Sequence, residues 1–180
     1  MPVLRLLFLA VAAILMIHSG VSAQDRPKTD IKTEFQSALT ALPDKAALTA
    51  RGAIYVPAYA NIRAGSRRTR IDLSATLAIH NTSDQKPLVI ERIEYFDSTG
   101  KLVERFLDAP VALKPYGTIE VFIAADDNRG GSGANFIVSW AGNGPIAEPL
   151  AETVMIGIVG TTSYSFVSQG RPVRSVEPSR

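Results

Sequence analysis

Residues 70–80, RIDLSATLAIH, decide the fold. Ile71, Leu73, Ala75, Leu77 and Ile79 alternate with Asp72, Ser74, Thr76, Ala78 and His80, so one face is apolar and the other is wet. A period of two is the signature of a half-buried strand, whereas a helix repeats its apolar positions every three or four residues. A sheet with one face in water is antiparallel by preference, because the crossovers of parallel sheets cover both faces with helices.

Outward from this strand the same signal recurs. Upstream, residues 53–59 hold Ile54, Tyr55, Val56 and Tyr59, and Pro57, which has no N–H to give a ladder, predicts an edge strand. Downstream, Asn81, Thr82, Ser83 and Asp84 make a turn, and Asn81-Thr82-Ser83 also matches a glycosylation acceptor. Residues 88–96 are a third strand, which the Asp97-Ser98-Thr99-Gly100 loop folds back into residues 101–107 as a hairpin. Pro110 and Pro115 bracket an irregular crossover, and residues 117–125 form a strand with Ile119, Val121 and Ile123 inward. Phe136, Val138 and Trp140 give the next strand one heavily apolar face. Gly142, Asn143, Gly144 and Pro145 mark a turn. Residues 151–159 are almost wholly apolar, which predicts a strand buried on both faces or central, and residues 163–168 are the last strand. Seven or eight short strands without helices between them predict an all-β fold, an antiparallel immunoglobulin-like β-sandwich, with a small closed barrel as the alternative.

The ends of the chain carry different signals. Residues 1–23 have Arg5 as their only charge, an apolar run over 6–17, and the small residues Val21, Ser22 and Ala23. This is the pattern of a secretory signal peptide cleaved after Ala23, and the run is shorter than the roughly 20 residues of a membrane span. Within the linker 24–52, Ile31, Phe35, Ala38, Leu39 and Leu42 fall on one helical face, with Asp30 as N-cap and Pro43 as stop. A short amphipathic N-terminal helix is expected there, ahead of a sandwich domain over 53–170. Residues 171–180, with Pro172 and Pro178, are expected to be a disordered tail.

Composition mostly removes chemistry. The 180 residues include no cysteine, which excludes disulfides, thiolate metal sites and a lipid-modified cysteine, so the expected product is periplasmic or secreted and is not a lipoprotein. The 19 basic and 17 acidic residues nearly cancel, and no basic stripe interleaves with aromatics, so no nucleic-acid partner is expected. The nearest basic patch, Arg63, Arg67, Arg68 and Arg70, reads as a solvated turn between strands. Once His18 leaves with the signal, His80 is the sole histidine, and no G-x-S-x-G elbow supports a triad built on it. Neither a metal nor a cofactor is expected.

One stretch is unusual. Asp126, Asp127, Asn128 and Arg129 place four hydrogen-bonding side chains in a row, and Gly130, Gly131 and Gly133 then remove the Cβ constraint around Ser132. These residues with Asn135 form the candidate binding loop. Asp126 and Asn128 imitate the start of a calcium loop, but Ile137 stands where the bidentate glutamate belongs. The glycine amides beside Arg129 also resemble an anion-binding nest, and a tight structural connection with Asp126 or Asn128 capping the turn accounts for the same residues.

YVPAY at 55–59, LAIHNTS at 77–83, YFDSTGKLV at 95–103, GGSGANFIVSW at 130–140 and ETVMIG at 152–157 resemble an uncharacterised family of exported bacterial proteins, a domain of unknown function. The resemblance covers about residues 55–170. The chain departs from it in lacking a lipoprotein cysteine and in reading GTTS at 160–163, where the family has a glutamine-rich turn. The resemblance implies a cell-envelope location and brings no catalytic residue. The leading expectation is a non-enzymatic module that binds an envelope protein or component through the 126–135 loop or the edge near Tyr55 and Tyr59. A calcium-, anion- or sugar-binding module using the same loop is the alternative. A carboxylate-based hydrolase drawing on Glu91, Glu94, Glu104, Glu120, Asp126 and Asp127 is the second.

Overall fold

Ile71, Leu73, Ala75, Leu77 and Ile79 are all buried, as their alternation requires. The computed structural model describes residues 30–173, so the expected signal segment, the polar run at 24–28 and the tail beyond Val173 lie outside the described residues. A single helical turn, α1 (Ile31–Glu34), precedes β1 (Leu39–Thr40), β2 (Leu48–Pro57), β3 (Asn61–Ala64), β4 (Thr69–Asp72), β5 (Ser74–His80) and β6 (Leu88–Phe96). Then come β7 (Leu102–Arg105), β8 (Val111–Leu113), β9 (Thr118–Ile123), β10 (Asn135–Asn143), β11 (Leu150–Val159), β12 (Thr162–Gln169) and β13 (Arg171–Pro172).

All the pairings are antiparallel. One sheet runs β1-β8-β6-β10-β2-β13, with β7 also on β6, and a second runs β12-β11-β5-β9; β3 and β4 form a separate ribbon. The core lies between the two large sheets, where Val56, Ile93, Tyr95, Phe136 and Val138 on one side face Leu77, Ile79, Ile119, Val121 and Met155 on the other. Tyr95 and Phe136 sit opposite one another on β6 and β10 with ring centroids 4.9 Å apart, close enough for an offset aromatic contact. The result is a sandwich-like antiparallel fold, as the alternation predicts.

Several local expectations are corrected. The helix expected to run to Leu42 stops after Glu34: Asp30 caps it as foreseen, accepting from Lys32 N at 3.2 Å, but Leu39 and Thr40 leave to pair with Leu113 and Ala112. A helix this short has little intrinsic stability, so a tertiary ladder takes its last residues. The strand 70–80 breaks at Leu73, whose N–H goes to Ala60 O at 2.9 Å; the alternation survives the break while the ladder partner changes. The crossover at 110–115 contains β8, and the ladder of β2 starts at Leu48 instead of residue 53. Arg171 and Pro172 pair with Tyr55 and Ile54, so the edge foreseen near Tyr55 is covered and the first residues of the expected tail belong to the sheet. β11 has neighbours on both sides, yet Ile156, Ile158 and Val159 are exposed, so it is central and open on one face.

Candidate functional site

The 126–135 loop is the connection that carries the chain from β9 in one sheet to β10 in the other, and its odd composition follows from that passage. Asp127 Oδ1 accepts from Arg129 N at 3.2 Å and starts a run of tight 3-10 turns over Asn128–Gly133. Within it Gly131 has φ 72°, a conformation that glycine adopts without a Cβ penalty. Gly130 is buried for a different reason. A Cβ there would fall on the Tyr95 hydroxyl and stand 2.6 Å from both Tyr95 Cζ and Ala134 Cβ.

Neighbouring turns stitch the loop inward. Gly130 O accepts from Ser98 N at 3.0 Å and from Ser98 Oγ at 3.0 Å, and Ser98 Oγ in turn accepts from Gly133 N at 2.8 Å. Gly131 O accepts from Ala60 N at 3.0 Å, and Ala134 O from Ala58 N at 2.8 Å. Ser98 belongs to the turn between β6 and β7, where Asp97 accepts from Thr99 Oγ1 at 2.7 Å and from Lys101 N at 3.0 Å. These bonds, the Thr99 hydroxyl first, hold the Asp97 carboxyl below its ordinary pKa.

The charges of the loop are directed to one another and to the adjacent strands. Arg129 grips the buried Asp127 through Nε at 2.9 Å and Nη2 at 2.7 Å, and the same Nη2 reaches Glu104 on β7 at 2.7 Å. The Asp127 hydrogen bonds come first among the causes that push the Arg129 pKa above its usual value, so the guanidinium is a fixed cation. Asn128 accepts from Arg70 of the β3–β4 ribbon. Beneath them the buried Tyr95 has its pKa pushed up to about 12, by desolvation first and then by the nearby Asp127 charge. Asp126 and Ser132 face solvent, and Asn135 opens β10 opposite Pro57 and Phe96. The loop therefore spends Arg129 on carboxylates and the Gly133 amide on a serine, and both are groups that an anion would need.

The remaining candidates are placed as follows. Tyr59 packs on Phe166 with centroids 6.0 Å apart. His80 Nδ1 lies 2.9 Å from Thr118 Oγ1 on the neighbouring strand. Asn81 is buried, its amide donating to Lys86 O at 2.8 Å and Lys114 O at 3.0 Å while Oδ1 accepts from Ser83 N at 3.0 Å, so the glycosylation match is a capped turn. Glu94 pairs with Arg105 at 3.0 Å and Arg92 at 3.6 Å, and Glu91 pairs with Arg51. No cluster of three or more metal-ligating side chains occurs among the described residues.

What sequence reading missed lies on the other sheet. The register aligns Val167, Val154, Thr76 and Phe122 in one row across the outer face of β12-β11-β5-β9, with Ser165, Ile156 and Ser74 in the next. Phe122 is 56% exposed, Val167 54%, Ile156 46% and Ile158 72%. Glu120 and Glu152 share a row farther along and are the only carboxylates on that face of the four strands. The signal was the unbroken apolar run of β11, which one covered face cannot account for.

Fold and surface together define a two-sheet antiparallel domain whose most unusual loop is locked and whose smaller sheet presents an apolar outer face. The chain belongs to the family described as "Protein of unknown function (DUF3124)", whose model matches residues 51–173. A solved structure described as "Crystal Structure of Thermotoga maritima 1070" is similar to it at 11% identity and a TM-score of 0.40, over 69% of this chain and 96% of that one. The chain matches no curated protein.

Proposed function

We propose that this chain is an exported cell-envelope protein that works without catalysis, by binding a partner protein across the outer face of its four-stranded sheet. The observation that carries the reading is the row Val167, Val154, Thr76 and Phe122 beside the exposed Ile156 and Ile158. Contiguous apolar surface of this kind costs solubility and marks interaction sites more often than scattered apolar residues do. Export is supported by the apolar run 6–17 ahead of Val21, Ser22 and Ala23. A binding role without chemistry is supported by a chain that lacks thiols and has ion pairs using Glu94, Glu104 and Asp127. The 126–135 loop then serves as the frame that holds β9 to β10, in place of the contact surface expected from its composition.

The test is capture from an envelope extract by the purified chain, with a Phe122→Ser, Ile158→Ser variant beside it. A partner held by wild type and lost by the variant supports the reading, and equal capture by both refutes it. The N-terminal residue of the protein recovered from cells tests export: Gln24 is expected, and an intact Met1 in a cytoplasmic pool refutes that half of the proposal.

A further inference from the structure

The four-stranded sheet ends at β12, whose second side has no strand partner among the described residues. Residues 162–169, TSYSFVSQ, hold no charge and no proline. A free edge of this kind is a template for another strand, and proteins that avoid pairing blunt such edges with lysine, proline, short strands or a covering segment. The other edges here carry those devices. β13 is two residues long and contains Arg171 and Pro172, β1 is two residues long, and β9 at the far side of the same sheet carries Glu120.

We infer that β12 pairs antiparallel with β12 of a second copy, joining two four-stranded sheets into one of eight strands. Charge selects the occupant: self-pairing sets each residue opposite a nearby residue of its own strand, so a charged edge repels itself, and this one has nothing to repel. The geometry is also restrictive. A two-fold axis perpendicular to the sheet keeps core faces on one side and solvent faces on the other, so opposed residues must share a face and the axis must pass through a single residue, Ser165 or Phe166. About Ser165, Tyr164 meets the partner's Phe166 on the core side and Ser163 meets the partner's Val167 on the outer side. Aromatic pairs across strands are favourable, and Tyr164 and Val167 are both exposed in the single chain. The outer rows of the two copies then run on as one continuous face. This inference stands on the backbone edge of β12 and requires neither export nor a foreign partner.

The absence of native cysteine makes the test clean. Residues opposed across an antiparallel two-fold have Cα atoms about 4.5 or 5.5 Å apart, inside the roughly 4.4–6.8 Å that a disulfide spans. Ser165→Cys and Phe166→Cys are compared with Ser74→Cys, which lies on β5 away from the edge, under mild oxidation of the full chain. Light scattering at about 100 µM, well above a micromolar Kd, measures the mass of wild type and of Ser165→Lys, whose cation would face its own copy across the axis. The expected result is a wild-type dimer, a covalent dimer from Ser165→Cys or Phe166→Cys but none from Ser74→Cys, and a monomeric Ser165→Lys chain whose melting temperature matches that of wild type diluted until it too is monomeric. A monomeric wild type overturns the inference, as does a dimer that survives Ser165→Lys or a Ser74→Cys chain that cross-links as readily as the two edge variants. Any of these leaves the partner-binding proposal standing, because that one is read from Phe122 and Ile158.

Discussion

Gly130→Ala tests whether the 126–135 loop is frame or contact surface. Gly130 is outside the positive-φ region, so alanine brings no backbone strain and its effect is one of space. The new methyl falls on the Tyr95 hydroxyl and comes within 2.6 Å of Tyr95 Cζ and Ala134 Cβ, far inside van der Waals contact, with the ring pinned by Phe136 at 4.9 Å. Overpacking of a fixed core site costs about 1–3 kcal/mol. For a domain of this size each kcal/mol lowers Tm by about 2–4 °C, so a drop of roughly 2–12 °C is expected. Urea unfolding should show the same loss as a shifted midpoint with an unchanged slope. Removing the nearest atom should return part of the stability: in the Tyr95→Phe background the same glycine change should cost less, with a coupling of at least about 0.5 kcal/mol. A Gly130→Ala protein within about 0.5 kcal/mol of wild type, or a loss indifferent to Tyr95→Phe, would show that the loop is not wedged against the core and would return it to the list of contact surfaces.

Three further outcomes follow from the same structure. Because burial raises the Tyr95 pKa from 10.0 to about 12, the folded state holds its phenolic proton more tightly than the unfolded chain does. The stabilisation is complete below pH 10 and lost as pH rises through the folded value, so wild type should lose roughly 2 kcal/mol more than Tyr95→Phe between pH 10 and 12; parallel stability curves would refute this. Arg129→Ala should cost roughly 2 kcal/mol, less than the ~3–5 kcal/mol of fully buried pairs because its own side chain is 53% exposed, while Glu104→Ala should cost about 1 kcal/mol or less; equal losses in urea unfolding would count against Asp127 as the principal partner. The Phe122→Ser, Ile158→Ser chain should keep its stability within about 1 kcal/mol of wild type, since both side chains already stand in water, and a larger loss would mean that this face is covered.

The fold was legible wherever burial alternates along one strand. Leu77 and Ile79 on β5, Ile119 and Val121 on β9 and Phe136 and Val138 on β10 announce themselves because a two-sided sheet leaves no other way to bury them. The breaks were not legible, since they depend on partners distant in sequence. Leu73 leaves the ladder because Ala60 O lies within reach, and Leu39 leaves the helical stripe because Leu113 is opposite it. The loop at 126–135 was recognised as unusual, and two residues that hold it in place, Ser98 and Glu104, lie 25 or more positions away with nothing to distinguish them from other turn and strand residues.

The attention that composition draws to the 126–135 loop has a physical cause that extends beyond this chain. Glycines and adjacent charges draw attention because they are rare together, yet rarity follows as readily from a hard conformational task as from a ligand. Here the task is to cross between two sheets at a point where Tyr95 leaves no room for a Cβ and where the buried Asp127 is paired with Arg129. Beside Phe122 and two glutamates, the exposed face of the small sheet is made largely from valine, isoleucine, serine and threonine, the ordinary material of strands, and in sequence the apolar ones are assigned to a core by default. Their exposure emerges only once the sheets are counted: a core between two layers covers one face of β11 and leaves Ile156 and Ile158 outside it. In a two-layer fold, an apolar run of this length therefore predicts exposed apolar surface on the face that the core leaves uncovered.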